Sequence, residues 1–449
     1  MSALLVNYPS LCSSINFPSF YSSCSLNNKS SSLVVAVSSS VRCFSSLSPH
    51  PPLRYAILGA GFAGLSVAWH LLQTVSKDSH LCIDIYDEVG IGGGASGIAG
   101  GLLHPYSPKA KLLWKGAECW EECLKLLNIA EAAVSSRKDF NHDGEEVIVW
   151  RRGILRPATT VKNVDILTEN ARDCLRSCKL ESVDEDGAQN LVPNLCVPFN
   201  SAIYMPQAVN VHPQRYLQAL FLACKNQVLD LAASGYEGKE IYLHKKSVNS
   251  LLELAGDYNA VIICLGANSD TLPELSGWLP LRTCRGVVAH LQLPNDVRDE
   301  YGSQSPSILS DAWIAAQGPR NLVMGSTWEW RSRNYSPKVS AEEASLAFDE
   351  LLLKASDVYP SIRKWDFTGA RAGLRAMPPL TPFGSIPVLG CVDDAIIGNC
   401  RCKYWVFTGL GARGLLYHGW LGKLMAQAVH SGNEDVLPPE STSWRKIRQ

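Results

Sequence analysis

The sequence predicts an α/β fold, a doubly wound sheet of parallel strands interrupted by a second domain of mixed and antiparallel strands. Three observations predict it. A short apolar run at residues 55–58 leads into Gly59-Ala60-Gly61-Phe62-Ala63-Gly64, then a helical pattern through Leu65, Ala68, Trp69 and Leu72 to about Val75, then a second apolar run from Leu81 to Tyr86. Far downstream, Val261–Leu265, which ends on Gly266, and Trp405–Phe407, which leads into the Thr408–Gly414 loop, are again apolar runs, as buried parallel strands are. Between these pieces, Arg285–Leu293, Ile308–Gln317 and Leu322–Thr327 read as antiparallel strands, with Gly318-Pro319 marking a turn.

The strand–turn–helix–strand unit at the start is Rossmann-like, and each position has a task. Gly59 permits the tight turn, Gly61 lets the backbone approach a pyrophosphate, and Gly64 lets helix and strand pack closely. Phe62 and Ala63 open the helix, whose N-terminal N–H groups and positive dipole end suit phosphate. Asp87 ends the second strand, where a carboxylate accepts from ribose hydroxyls, with Glu88 as its fallback. Asp84 is out of phase with that role and reads as a strand residue on a polar face.

Two more glycine-rich loops follow strands. Gly92 to Gly101 carries Gly94-Ala95-Ser96-Gly97, a loop able to hold a diphosphate or ribityl chain through exposed N–H groups. Thr408 to Gly414 follows the Trp405 strand and precedes a helix through Leu421, Leu424, Met425 and Ala428. A helix N-terminus there would stabilise negative charge developing on a bound group.

The chain has 449 residues, enough for about two domains. Its 41 basic and 42 acidic residues leave a net charge of −1, without the basic excess of most nucleic-acid-binding proteins. No apolar run is long enough to span a membrane. The first 52 residues are Ser-rich, carry only Lys29 and Arg42 as charges, and hold no Asp or Glu. That composition predicts a transit peptide, plastid rather than mitochondrial because Arg is scarce. Its removal takes the charge from −1 to about −3, with two basic residues lost. The remaining cysteines, among them Cys82, Cys119, Cys123, Cys264 and Cys284, lack paired CxxC spacing and read as free thiols. Cys400-Arg401-Cys402 has no further ligands at metal-site spacing, so no metal is expected.

From residue 53 to about 430 the chain resembles the D-amino-acid-oxidase-like superfamily of FAD-dependent oxidoreductases. That group includes glycine oxidase, sarcosine oxidase and the oxidase half of a bifunctional bacterial tRNA-wobble-uridine-modifying enzyme. The matching pieces run in the family's order: Gly59–Gly64, Asp87, Gly94–Gly97, Val211–Leu220, Asp257–Ser269, Ala372-Gly373-Leu374-Arg375 and Gly411–Leu415. The stretch Gly325–Trp330 is also similar to glycine oxidase. The resemblance implies non-covalent FAD, since no matching Cys stands around Arg375. It implies that Gly59, Gly61, Gly64 and Asp87 hold the adenosine diphosphate, and that Ala95, Ser96 and Gly97 form the flavin-side loop. Val248, expected in a strand from Ile241, would read adenine through its backbone. Gly266 would pass close to the cofactor, and Gly411, Ala412, Arg413, Gly414 and Leu415 would face the flavin.

The expected organisation is a transit segment at 1–52 and an FAD-binding domain in three pieces, 53–110, 206–282 and 366–435. Substrate-domain pieces fall at 111–205 and 283–365, and a C-terminal tail at 436–449. The family implies oxidation of a carbon–nitrogen bond by hydride transfer to flavin. Arg375 resembles the arginine that holds the substrate carboxylate, a task suited to a planar guanidinium, although Ala376 stands where the family usually has Pro. Arg371 would share its strand face, and Trp328 and Trp330 can reach the pocket. His104 and His212 read as packing or hydrogen-bonding histidines. The leading expectation is oxidation of a small amino acid or N-substituted glycine, with oxygen or another acceptor reoxidising the flavin. Two alternatives stay open. One is a tRNA-modifying oxidase, to which Cys284-Arg285-Gly286 is also suited. The other is a non-catalytic FAD-binding assembly factor.

Overall fold

In a computed structural model of the protein, the described residues are 52–136, 147–297, 301–302, 304–318, 320–392 and 402–448. The expected transit segment up to residue 51, Pro319 of the expected turn and the Cys400-Arg401 pair lie outside them. From residue 52 the chain is one compact unit built on two large sheets.

The first sheet has six strands in the order Val388–Cys391, Lys403–Thr408, Ala260–Ile263, Leu53–Leu58, Leu81–Tyr86, Lys239–His244. All neighbours are parallel except the first pair. Its strands are apolar on both faces because both are covered. Ile57, Ile83, Ile262 and Phe407 pack under four long helices, Phe62–Thr74, Gly116–Ser135, Pro213–Ala233 and Gly414–Ser431. Ala56, Leu58, Val261 and Val406 face the other way, under short turns and the C-terminal segment. That segment is docked rather than a loose tail: Trp444 is buried and its indole N–H donates to the Leu389 carbonyl at 2.8 Å.

The second sheet is mixed. Its order is Glu329–Trp330, Arg282–Gln292, Asn321–Gly325, Trp313–Ala316, Ser307–Ile308, Ile154–Pro157, Ala202–Met205, Glu181–Val183, with Asp366–Met377 also paired to Arg282–Gln292. Only the Ser307–Ile308 to Ile154–Leu155 contact is parallel. Alternation sorts its faces. Leu155, Ile308, Ile314, Met324 and Ala289 are joined in register and share a core with Leu351 and Ala355 of the Ala341–Ser356 helix. The opposite face, with Val288, Ala315 and Val323, meets Ile98 of the glycine-rich loop.

Four expectations change. The strand expected at Ile308–Gln317 is two short strands, because residues 309–312 turn between them. Val248 lies beyond its strand, which ends at His244. Asp366–Met377 belongs to the mixed sheet, so the third nucleotide-domain piece begins after Met377. The Gly116–Ser135 helix joins the first domain's helical layer, because its apolar stripe of Cys119, Trp120, Cys123 and Leu126 fits against the Gly414–Ser431 helix.

Candidate active site

The glycine motif closes as its spacing requires. Gly59 has φ +105°, and a Cβ there would lie 2.5 Å from the Cys264 carbonyl oxygen. A Cβ on Gly64 would lie 1.9 Å from the Gly59 oxygen. Asp87 binds this turn directly, accepting from Ala60 N–H at 2.9 Å and from Val89 and Gly90 N–H at 3.1 and 2.8 Å. Its Oδ2 takes one of these three bonds and keeps acceptor capacity for a ribose hydroxyl. Glu88 is exposed. Ser96 Oγ accepts from Phe62 N–H at 3.2 Å, so the two loops meet at the helix N-terminus beside Ala63. Gly97 is packed against the Gly92 carbonyl, where a Cβ would be 2.1 Å away. Gly94 and Gly266 (φ +58°) differ: a Cβ at either meets nothing within 4 Å, which leaves room for a group held against the backbone. Glycine turns, a helix N-terminus, a carboxylate at the strand end and these open positions fit a dinucleotide cofactor such as FAD.

The mixed sheet presents one face to that cradle. Along Asp366–Met377, Arg371, Gly373, Arg375 and Met377 alternate onto the same side. Gly373 lies against Ala95, where a Cβ would be 2.9 Å from its Cα. Met377 lies beside Gly411, 3.5 Å from a Cβ there. Arg375 therefore stands between the two loops expected to flank a flavin. Its Nη2 donates to Ser326 Oγ at 2.9 Å and to the Thr327 carbonyl at 3.1 Å, and the Trp328 ring covers the guanidinium at 4.2 Å. The guanidinium passes over Gly286, where a Cβ would be 1.6 Å from Nη2. Among the described residues it has no acid partner, and burial lowers its pKa. An arginine has five N–H donors, so the Nε and Nη1 edges stay available.

The structure brings Trp328 to Arg375 but not Arg371. Arg371 is on the same face but on the far side of Gly373, exposed, with its charge acting on His212 and His290. The two arginines are four steps apart along the strand, a span of about 13 Å. Trp328 and Trp330 are both exposed and stack at 5.8 Å, and Arg282 covers Trp330 at 5.4 Å. His212 caps the Pro213–Ala233 helix, accepting from Arg215 N–H at 3.4 Å, and burial pushes its pKa down to about 4. Asp84 is buried. It accepts from His244 at 2.6 Å, Tyr258 at 3.0 Å and Arg54 at 3.3 Å. Burial raises its pKa, but these bonds outweigh that and hold it below the usual carboxylate value. Leu415 is buried in the first turn of the Gly414–Ser431 helix, Gly414 is beside Phe62, and Ala412 is exposed. Arg413 reaches His104, with Nη1 3.5 Å from Nε2. Gly286, Ser326 and Thr327, which shape and fix the Arg375 fork, were not legible as site residues. Their only local signal is a glycine inside the strand that pairs with Arg375's own, and two small polar residues just past the end of the next strand, in the stretch similar to glycine oxidase.

Known proteins are similar to this chain in sequence and in fold. Among curated relatives, a thiamine-biosynthesis oxidoreductase by name, ThiO of Rhizobium etli, is 29% identical over 231 residues, 50% of this chain and 58% of its own length. The bifunctional tRNA 5-methylaminomethyl-2-thiouridine biosynthesis protein MnmC of Polaromonas naphthalenivorans is 23% identical over 87% of this chain. The chain spans 58% of each of these two relatives. Glycine oxidase from Geobacillus kaustophilus has the same fold, with a TM-score of 0.64 at 19% identity, covering 87% of this chain and 98% of its own. Iminodiacetate oxidase from Chelativorans sp. BNC1 does so at 0.63 and 20%, covering 86% and 98%. The model of the DAO family matches residues 54–428, from the first strand through the last long helix, and the chain belongs to this family of FAD-dependent oxidoreductases.

Proposed function

We propose that this protein oxidises the carbon–nitrogen bond of a small carboxylated amine, an amino acid or N-substituted glycine, with non-covalently held FAD. The observation that carries the reading is Arg375: a half-buried guanidinium between the two cofactor loops, fixed on one edge by Ser326 and Thr327, and without an acid among the described residues. A planar fork with two edges open is the complement of a carboxylate. Trp328 over its face keeps water from the ion pair and adds a cation–π contact. FAD, when bound, supplies the acceptor for the hydride from the carbon beside the nitrogen. The residues of this chain orient that carbon, and the neutral amine needs no general base. Cys284 lies opposite Arg375 in register, but burial raises its thiol pKa and it stays protonated, in keeping with a non-covalent flavin.

The test is anaerobic bleaching of flavin absorbance in the purified protein against amino acids, N-methyl amino acids and modified tRNA. Bleaching by carboxylated amines is expected, and acid precipitation should release all of the FAD. No bleaching by any of them would overturn the reading. A second reading is favoured by the exposed Arg282–Trp330–Trp328 stack beside Arg375, a surface on which a nucleobase can lie. Bleaching by modified tRNA alone would select it.

A further inference from the structure

A second group of cations shares the sheet face of Arg375. Leu155, Ile308, Ile314, Met324 and Ala289 are in register on the outer face, so Arg156, next to Leu155, looks inward with Trp313 and Arg375. Arg413 approaches it from the nucleotide-binding domain, at the N-terminus of the Gly414–Ser431 helix. Burial, and then the nearby Arg413 charge, hold the Arg156 pKa below its ordinary value. His104 is the third member. Tyr106 N–H lies 3.3 Å from its Nδ1. Its Nε2 lies 3.5 Å from Arg413 Nη1, a hydrogen-bond contact in which the ring's tautomer sets the roles. Burial, Arg413 and Arg156 keep the ring neutral. Among the described residues no carboxylate is within ion-pair distance of Arg156 or Arg413. Asp311, whose charge acts on Arg156, is exposed on the turn at 309–312.

Two guanidinium groups that converge beside an imidazole, with no carboxylate at hand among the described residues, are costly unless an anion joins them. We propose that Arg156, Arg413 and His104 form a second anion subsite, and that the substrate is an amine with two carboxylates. One carboxylate, beside the reacting carbon, is held by Arg375; the other, at the far end of the nitrogen substituent, is held by this cluster. The proposal rests on Arg375 as the first anchor.

The test uses the full chain with FAD bound and two matched amine series. Iminodiacetate, N-carboxymethyl-β-alanine and N-carboxymethyl-γ-aminobutyrate carry two carboxylates; sarcosine, N-ethylglycine and N-propylglycine carry one. The best member of the first series should show a KM lower by about tenfold or more, as charge-assisted bonds give, and the chain length at the optimum reads the gap between the subsites. In Arg156→Gln and Arg413→Gln the ratio of kcat/KM between the series should fall towards one, with Arg156→Lys keeping part of it. Perturbation of the flavin spectrum by glutarate against butyrate tests the same preference in the unmodified protein and needs no variant. Equal KM for matched pairs, with both series bleaching the flavin, sinks the subsite and leaves the Arg375 reading standing. Lost FAD affinity in either variant with the preference intact assigns the arginines to the cofactor and overturns the proposal. Bleaching by neither series removes both.

Discussion

Arg285 and Arg375 sit one residue out of register on neighbouring strands and point to opposite faces of the mixed sheet. Arg285 is 1% exposed and spends every donor: Nε and Nη2 on Glu343 at 2.8 and 3.3 Å, Nη1 on the Asn334 and Ser336 carbonyls, Nη2 also on Lys338. It fastens the segment after Trp330 and the start of the Ala341–Ser356 helix to the sheet. Arg375 spends one nitrogen and meets a hydroxyl, a carbonyl and an indole face. A saturated arginine is architecture, and its cost of burial is met inside the fold. An arginine held in place with its fork open has its partner arrive from outside.

Substitutions break or sharpen this contrast. The largest effect expected is from Arg375→Ala: yellow, bound FAD is retained while kcat/KM for carboxylated amines falls by about a thousandfold, as loss of a charge-assisted anchor implies. Steady-state kinetics on the flavin-loaded variant check it, and normal turnover would remove the carboxylate assignment. Glu343→Ala acts on the other face. It strands the Arg285 charge in the interior and should cost about 3 kcal/mol of stability, seen as a lower midpoint in urea, with kcat per folded molecule preserved. Gly286→Ala joins the two faces. A methyl group there displaces the Arg375 fork, so KM should rise by about tenfold or more while the urea midpoint moves little. Trp328→Ala removes the cover over Arg375 and should raise KM by a few-fold, since a cation–π contact is worth about 1 kcal/mol.

The smallest effect is on pH. His212 and His418 are pushed down to about 4, chiefly by burial, from an ordinary 6.5. Between 6.5 and 4 the unfolded chain takes up protons that the folded chain refuses, so stability falls as pH drops through that window. Urea midpoints measured across it should show the slope, and His212→Asn, which keeps a helix cap, should flatten it.

The nucleotide-binding part was the more legible in sequence. Gly59, Gly61, Gly64 and Asp87 are close together in the chain, and each answers a local demand of turn, close approach or hydrogen bonding. The mixed sheet was read less well. The Asp366–Met377 strand looked like a continuation of the first domain because nothing local says which sheet a strand joins. Val248 was drawn into a strand that stops four residues earlier, at His244, since apolar character alone does not mark a strand end. Arg371 and Arg375 were paired by alternation, which gives a shared face correctly but not the intervening contact of Gly373 with Ala95 that separates them.

The sequence by itself determined the dinucleotide turn and the family, and it singled out Arg375, because those depend on residue chemistry at short spacing or on ordered motifs. Only the tertiary structure decided which arginine is saturated and which is open. Glu343 lies 58 residues from Arg285, and Ser326 lies 49 from Arg375. Hydrogen-bond partners that distant are chosen by strand register and sheet face, which no local pattern in the chain specifies.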